Sequence, residues 1–483
     1  MPETPFKWLA VYLVYNNALY DEKHANDKTH ISMEKQKDSL INSIQDTPFN
    51  PAIKIIIVEL RTTRKRDGVE QKIHALEKTK SKRLEHISRP ANFNISLVTK
   101  QSVVDILSYL KKQYYAERHI LVTFGHGSIL GVNLFSTRQD SEIPKKLFSV
   151  RQINDPFTDG CWSKHKVKFS GSIAKKANDA SLRKRDIVKF FVEKKLDILS
   201  NRELAEALAE IFTDRKLDIL VMYNCLMQNI FTQYEFRKSV DFLVAPESGI
   251  SYPGYNWIGT FKKIGKNPSE ENVKIASFFI ETIRKERNHP YYPEFKTEVE
   301  GTWKVNAIQL DVKVFENIRN KFIDMMDEML KLSKKSNDIF RCLRNVKRQL
   351  FKYSKFSLPS VTIVDLEIFL NYLPEALKGY NSLQSLIEKN ESLKKSLEEI
   401  PQNFSFTGKN LYDDEFFYID EDFKKLKKGI GIWLADKKPA ADSVLNIFQA
   451  RDTLGVTPSF VKGTAYLKFF RAFALWNAKS LNI

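Results

Sequence analysis

The sequence predicts an α/β fold built on a mostly parallel central sheet with helices on both faces, followed by a mainly helical C-terminal region. Three observations carry this expectation. Apolar β-type runs alternate with helical segments through residues 1–265, the order that calls for right-handed crossovers and parallel neighbours. Some of those runs are continuously apolar rather than alternating, as suits strands covered on both faces. Across residues 266–483 the texture changes to long amphipathic stretches with few strand candidates.

The elements follow in order. Residues 8–15 (WLAVYLVY) read as the first strand: the run has no basic leader and no small-residue cleavage site, so a signal peptide is not expected and a cytoplasmic location is. Residues 53–60 (IKIIIVEL) read as the second strand. Val103, Val104, Ile106, Leu107 and Leu110 recur at helical spacing, and the run 119–124 (HILVTF) that follows is the third strand. A helix over 201–213 (NRELAEALAEIFT), capped by Ser200 or Asn201, leads into a fourth strand at 217–223 (LDILVMY), and 240–245 (VDFLVA) makes a fifth. Between 136 and 200 the pattern weakens and basic pairs gather at Lys145-Lys146, Lys175-Lys176 and Arg183-Lys184-Arg185; its plainest reading is a long solvated insertion. Farther on, 270–286, 312–335 and 377–397 read as helices, and 303–310 and 429–434 as strands. No stretch approaches the length of a transmembrane helix, so no membrane partner is expected.

A hydrophobic content of 42% and a net charge of +18 describe a folded chain with a basic surface. Such a charge suits a nucleic-acid or anionic partner, but the basic residues are scattered and no nucleic-acid motif accompanies them. A solvated lysine-rich surface is therefore expected, and nucleic acid is not an expected partner. Arg341, Arg344, Lys347 and Arg348 line one helix face, solvated or open to an acidic partner. Cys161, Cys225 and Cys342 are too few and too far apart for a disulfide framework, and no Cys/His cluster suggests a metal.

Two loops carry candidate chemistry because each follows a buried parallel strand, at the edge where α/β sheets bind ligands. The first is Gly125-His126-Gly127-Ser128 and the second Asn224-Cys225-Leu226-Met227. A histidine between glycines has backbone freedom and room for a ligand; a cysteine entering a helix has its thiol near a positive helix end, which favours thiolate. If the strands are neighbours, His126 takes the thiol proton, Cys225 attacks a carbonyl, and the backbone N–H groups of Gly127 and Cys225 hold the oxyanion. Taken singly, a cysteine after an apolar strand is a small buried hydrophobe and a GHG is a turn. Two such loops on one edge are harder to ascribe to chance.

Residues 120–128 (ILVTFGHGS) resemble the histidine motif of the clostripain-type cysteine peptidases (peptidase family C11), bacterial relatives of caspases, gingipains and legumains. Residues 217–227 (LDILVMYNCLM) resemble the family's cysteine motif; 8–19, 199–208, 234–236 and 245–248 are similar to its flanking segments, with weaker echoes at 364–372 and 429–434. The resemblance implies a caspase–hemoglobinase-like αβα sandwich and endopeptidase action on protein or peptide substrates by a Cys–His dyad. It requires no cofactor but leaves room for calcium. It also implies a substrate cleft near Tyr223, Asn224, Ala245, Pro246, Glu247 and Ser248, with the aromatic stretch 252–257 lining it or simply packing. Self-cleavage after Lys or Arg between 136 and 200 is a further implication, balanced by the reading of an uncut insertion.

Two positions depart from the family pattern. Tyr223 stands where the family usually carries an acid for a basic P1 side chain, and Phe231 where it tends to carry glutamate. Glu247 or Asp241 is then the compensating charge for a basic P1 preference. An intracellular protease needs restraint, so a regulatory protein partner or a pore-forming substrate fits that logic. The rival reading is a drifted, non-catalytic relative whose basic C-terminal half binds nucleic acid or an acidic protein.

Overall fold

The computed structural model describes residues 5–17, 33–65, 68–81, 83–87, 99–125, 127–128, 131–136, 196–225, 227–247, 254–283, 303–353, 357–358, 361–401, 403–408, 430–434 and 459–480. The chain runs β1 (Phe6–Asn17), α1 (Met33–Asp46), β2 (Ile53–Lys65), β3 (Gly68–Lys78), β4 (Leu84–His86), α2 (Lys100–Gln113) and β5 (Ala116–Phe124). Next come β6 (Gly127–Ser128), β7 (Gly131–Ser136), β8 (Leu196–Ser200), α3 (Asn201–Ile211), β9 (Leu217–Tyr223), α4 (Ile230–Phe236) and β10 (Val240–Pro246). After these follow α5 (Trp257–Lys266), α6 (Asn272–Glu281), β11 (Trp303–Gln309), α7 (Val312–Ser333), α8 (Asp338–Tyr353), β12 (Ser357–Leu358) and β13 (Val361–Asp365). The last are α9 (Leu366–Leu377), α10 (Ser385–Glu398), β14 (Asn403–Gly408), β15 (Gly431–Leu434) and α11 (Tyr466–Ser480).

Among the described residues the main sheet has nine strands in the order β14-β11-β10-β9-β5-β1-β2-β3-β4. The five central strands, β10 to β2, are all parallel to their neighbours, and antiparallel pairs finish each side. Every residue of β9 is buried, as are the last six of β5, which is why both read as unbroken apolar runs. Helices α1, α5 and α6 pack together on one face and α2, α3 and α4 on the other, the expected αβα sandwich. Helix α3 starts on a capping box: Ser200 Oγ accepts from the Glu203 N–H, and Glu203 accepts from the Ser200 N–H.

Three features differ from the sequence expectation. Strands β11 and β14 lie beyond residue 266 and complete the main sheet, so the change of texture at 265 is not a boundary in the sheet. The helix expected over 377–397 starts later, as α10 at Ser385: Leu377 is the last residue of α9, and Gly379 at φ +90° breaks the path between the two. Strands β3 and β4 escaped the reading because an edge hairpin such as GVEQKIHALEK is mostly polar.

The C-terminal segment returns to the helix that follows Cys225. Phe460 is buried against Phe231, Tyr234 and Phe322, with ring centroids 5.7, 5.4 and 5.0 Å away. Ser459 donates to Glu235 through its N–H and, at 3.0 Å, its hydroxyl, while Arg319 Nε donates to the Phe460 carbonyl at 3.1 Å. No described helix is long and apolar enough to cross a membrane.

At the opposite, N-terminal edge of the parallel strands a polar network joins their starts. Asp218 accepts from the His119 N–H at 2.8 Å and from Asn272 Nδ2 at 3.1 Å. Asn272 Nδ2 also lies 3.1 Å from Asp241, which receives Gln309 as well. Arg215 can only donate, so the His119 Nδ1 at 3.0 Å accepts and the ring is neutral. Burial, then the Arg215 and Lys111 charges, depress His119 from 6.5 to about 3. Below pH 6.5 the unfolded ring binds a proton that the folded ring refuses until about pH 3. Stability is therefore complete above 6.5 and falls on acidification, by up to about 1.4 kcal/mol per pH unit for this group. Urea midpoints between pH 7.5 and 5 will show that decline in the wild type and a shallower one in His119→Gln; equal slopes would remove His119 as its cause.

Candidate active site

The site begins with strand register. β5 and β9 pair in parallel from Ile120 opposite Ile219 to Phe124 opposite Tyr223, so the two candidate loops leave the sheet side by side at the same height. Pairing continues one step further, where the Gly125 N–H donates to the Tyr223 carbonyl at 3.3 Å. Asn224, fully buried, then donates from Nδ2 to the Gly125 carbonyl at 2.9 Å and accepts at Oδ1 from the Thr123 hydroxyl at 2.5 Å. Cys225 is 7% exposed and not in a disulfide.

Both glycines of the first loop have a steric reason that differs from the expected one. Gly125 sits at φ +143°, and a Cβ there would lie 2.9 Å from the Tyr15 carbonyl oxygen on β1. A Cβ on Gly127 would lie 2.5 Å from Asn224 Cβ, 2.8 Å from Met227 Cε and 3.3 Å from the Cys225 carbonyl oxygen. The glycines thus let the histidine loop press onto β1 and the cysteine loop, rather than clearing room for a ligand. Gly127 also pairs with Val132 in the β6–β7 hairpin. The structure brings together the two residues assigned to the oxyanion, Gly127 and Cys225. His126, Leu226 and Ser248 lie outside the described residues.

Other expectations are corrected by packing. Cys225 is not in the first turn of a helix: α4 starts at Ile230, with Asn229 as its N-cap receiving the Thr232 N–H at 2.9 Å. The Tyr223 ring is buried, stacked on Phe124 at 4.7 Å and tilted against Tyr255 at 5.7 Å, which sets it in the core rather than facing a substrate. Tyr255 and Trp257 are buried against each other at 5.2 Å, so this part of the aromatic stretch packs; residues 252 and 253 lie outside the described residues. Phe231 faces the Phe460 cluster, a position where a carboxylate would be stranded in apolar surroundings. Asp241 opens β10 at the far edge of the sheet, so it is no compensating charge for Tyr223.

The remaining sequence candidates lie on the cysteine's edge. Ala245 is buried opposite Asn306 of β11. Pro246 accepts at its carbonyl from the Gln228 N–H at 2.8 Å, which ties the segment after Cys225 to the end of β10. Glu247 follows directly and is 7% exposed. Among the other cysteines, Cys342 donates its thiol to the Ala376 carbonyl at 2.9 Å, and burial pushes it up to about 12, which marks an inert structural thiol. Cys161 lies outside the described residues, as do residues 137–195 of the basic insertion. Among the described residues no three His, Cys, Asp or Glu side chains come together to hold a cation.

Sequence reasoning missed the Thr123–Asn224 bond. Its signal was present: a threonine inside ILVTF is a hydroxyl in a strand with no water, and such a group needs a partner.

The profile of the clostripain family matches residues 171–457, well over half of the chain. The match takes in Cys225, begins after His126, and runs through the region where only weak echoes were read. Among solved structures, the chain is similar to an inactive zymogen C11 protease from Parabacteroides distasonis at 12% identity, covering 96% of this chain and 99% of that one with a TM-score of 0.49. It is also similar to a secreted C11 cysteine protease from Bacteroides thetaiotaomicron at 13% identity, 98% and 100% coverage and a TM-score of 0.47. No curated protein matches.

Substituting Gly127 by alanine will force Asn224 and the cysteine loop apart. The expected result is a loss of about 1–3 kcal/mol in urea unfolding, with slower alkylation of Cys225 by iodoacetamide. Wild-type stability together with wild-type alkylation would contradict this packing.

Proposed function

Because this chain belongs to the clostripain family of cysteine peptidases, we propose that it is an endopeptidase in which Cys225 is the nucleophile and His126 the general base. The observation that supports this reading is the β5–β9 register, which ends both motif strands level, with Gly127 close against the Asn224 side chain and the Cys225 carbonyl. His126 takes the thiol proton and the thiolate adds to the scissile carbonyl. The oxyanion meets the N–H groups of Gly127 and Cys225, an arrangement worth several kcal/mol when its donors are fixed in advance. His126 then returns the proton to the leaving amine, and water hydrolyses the acyl-enzyme. Self-cleavage within 136–200 belongs to the same proposal.

Basic P1 preference, in this reading, depends on Glu247. Tyr223 has replaced the family acid and is packed away, and Asp241 is at the wrong edge, whereas Glu247 sits one residue past β10 beside the cysteine loop. A carboxylate at the end of a P1 pocket discriminates by charge pairing in low dielectric, and its loss leaves a basic side chain uncompensated.

Two measurements test this. Wild type and Cys225→Ala, each incubated with a mixed fluorogenic peptide library, will differ in that only the wild type cleaves, by a factor of at least about 10³; equal turnover would end the nucleophile assignment. On a denaturing gel the same samples report cutting between 136 and 200. Glu247→Gln is expected to lower kcat/KM for Lys and Arg at P1 about 10²-fold while sparing neutral P1 residues. An unchanged Lys/Arg-to-neutral ratio would separate P1 preference from this carboxylate.

A further inference from the structure

We propose that Asn224 is a positioning residue that fixes the height of the Gly125–Gly127 loop over Cys225 and so sets the spacing of the catalytic pair. This rests on the reading of His126 and Cys225 as that pair.

Backbone pairing between β5 and β9 ends with the Gly125 N–H on the Tyr223 carbonyl. Beyond it each strand turns into its own loop, and the Gly125 carbonyl would lose its place in the ladder. The Asn224 carboxamide supplies that missing rung by donating from Nδ2 at 2.9 Å. Its orientation is not free. Thr123 is buried on the neighbouring strand and puts its hydroxyl 2.5 Å from Oδ1; a flipped amide would turn its oxygen toward the Gly125 carbonyl oxygen. On the other side of position 126, Gly127 lies so near Asn224 that an added Cβ would be 2.5 Å from Asn224 Cβ. One side chain therefore grips the loop both before and after the histidine, by a hydrogen bond at 125 and by van der Waals contact at 127. Asn224 belongs to the chain segment that carries the nucleophile, so the grip ties the two halves of the dyad directly. It is a positioning residue because its amide is spent on Thr123 and Gly125, and misplacement by about 1 Å is enough to lose roughly 10²-fold in rate.

The test is the pH dependence of Cys225 alkylation by iodoacetamide, followed by mapping of the alkylated peptide, in wild type, His126→Ala, Asn224→Ala, Asn224→Asp, Thr123→Val and Thr123→Ser. Thermal unfolding is recorded for each. In the wild type an ion pair with His126 gives fast alkylation below the ordinary thiol range, which His126→Ala abolishes. Asn224→Ala and Asn224→Asp, neither able to donate to the Gly125 carbonyl, are expected to lose ten- to a hundredfold of that low-pH rate. Thr123→Val should fall part of the way, and Thr123→Ser, which keeps the hydroxyl, should hold the wild-type profile. A folded Asn224→Ala with the wild-type profile would overturn the proposal and leave the dyad standing. A wild-type profile identical to that of His126→Ala would overturn the dyad, and the proposal with it. If Asn224→Ala does not fold, the Thr123 pair decides: equal profiles for valine and serine would refute the role.

Discussion

The pairing of β5 with β9 is the constraint on which the rest of the site depends. Both strands are buried on both faces, so a slip of one residue would turn every side chain to the opposite layer and is strongly disfavoured. That same register brings Phe124 level with Tyr223 and brings the two motif loops out together. The chemistry needs no separate device to align its halves at this coarse level. The core aligns them, and Thr123, Asn224 and the two glycines finish the adjustment over the last few ångströms.

The two edges of the sheet have divided their work. At the start of the parallel strands, hydrogen bonds among Asp218, Asn272, Asp241 and the His119 backbone tie the strand ends together. At the finish of the strands, glycines and a buried asparagine hold bare loops. The linked charged groups lie at the edge away from the proposed chemistry, while at the proposed catalytic edge shape and backbone groups hold the loops. The His119 imidazole and the Cys342 thiol show what the interior does to groups outside the proposed catalysis. Burial moves one down and the other up, and both become inert.

How far this was legible in the sequence depended on burial. Strands β1, β2, β5, β9 and β10 were readable because a strand with helices on both faces must be apolar throughout. The outer strands β3 and β14 lack that pressure, and GVEQKIHALEK or NFSFTG resembles a loop when read alone. The motif residues Gly125, Gly127 and Cys225 were visible, yet the purpose of the glycines was not, because close approach to Tyr15 and Asn224 involves residues distant along the chain. Tyr223 and Phe231 looked like losses of function when compared with a family pattern. Packed against Phe124 and Phe460, they are gains of core. A local pattern cannot report a partner that arrives hundreds of residues later.

That late partner has a consequence in time. Helix α4, directly after the cysteine loop, holds Phe231 and Glu235 toward Phe460 and Ser459 near the end of the described chain. A chain emerging from the ribosome makes its cysteine loop long before it makes the segment that covers the adjoining helix. Until then Phe231 has no ring to meet and Glu235 has no donor from Ser459. The helix beside the cysteine loop therefore gains its full packing only after the segment around Phe460 has been made.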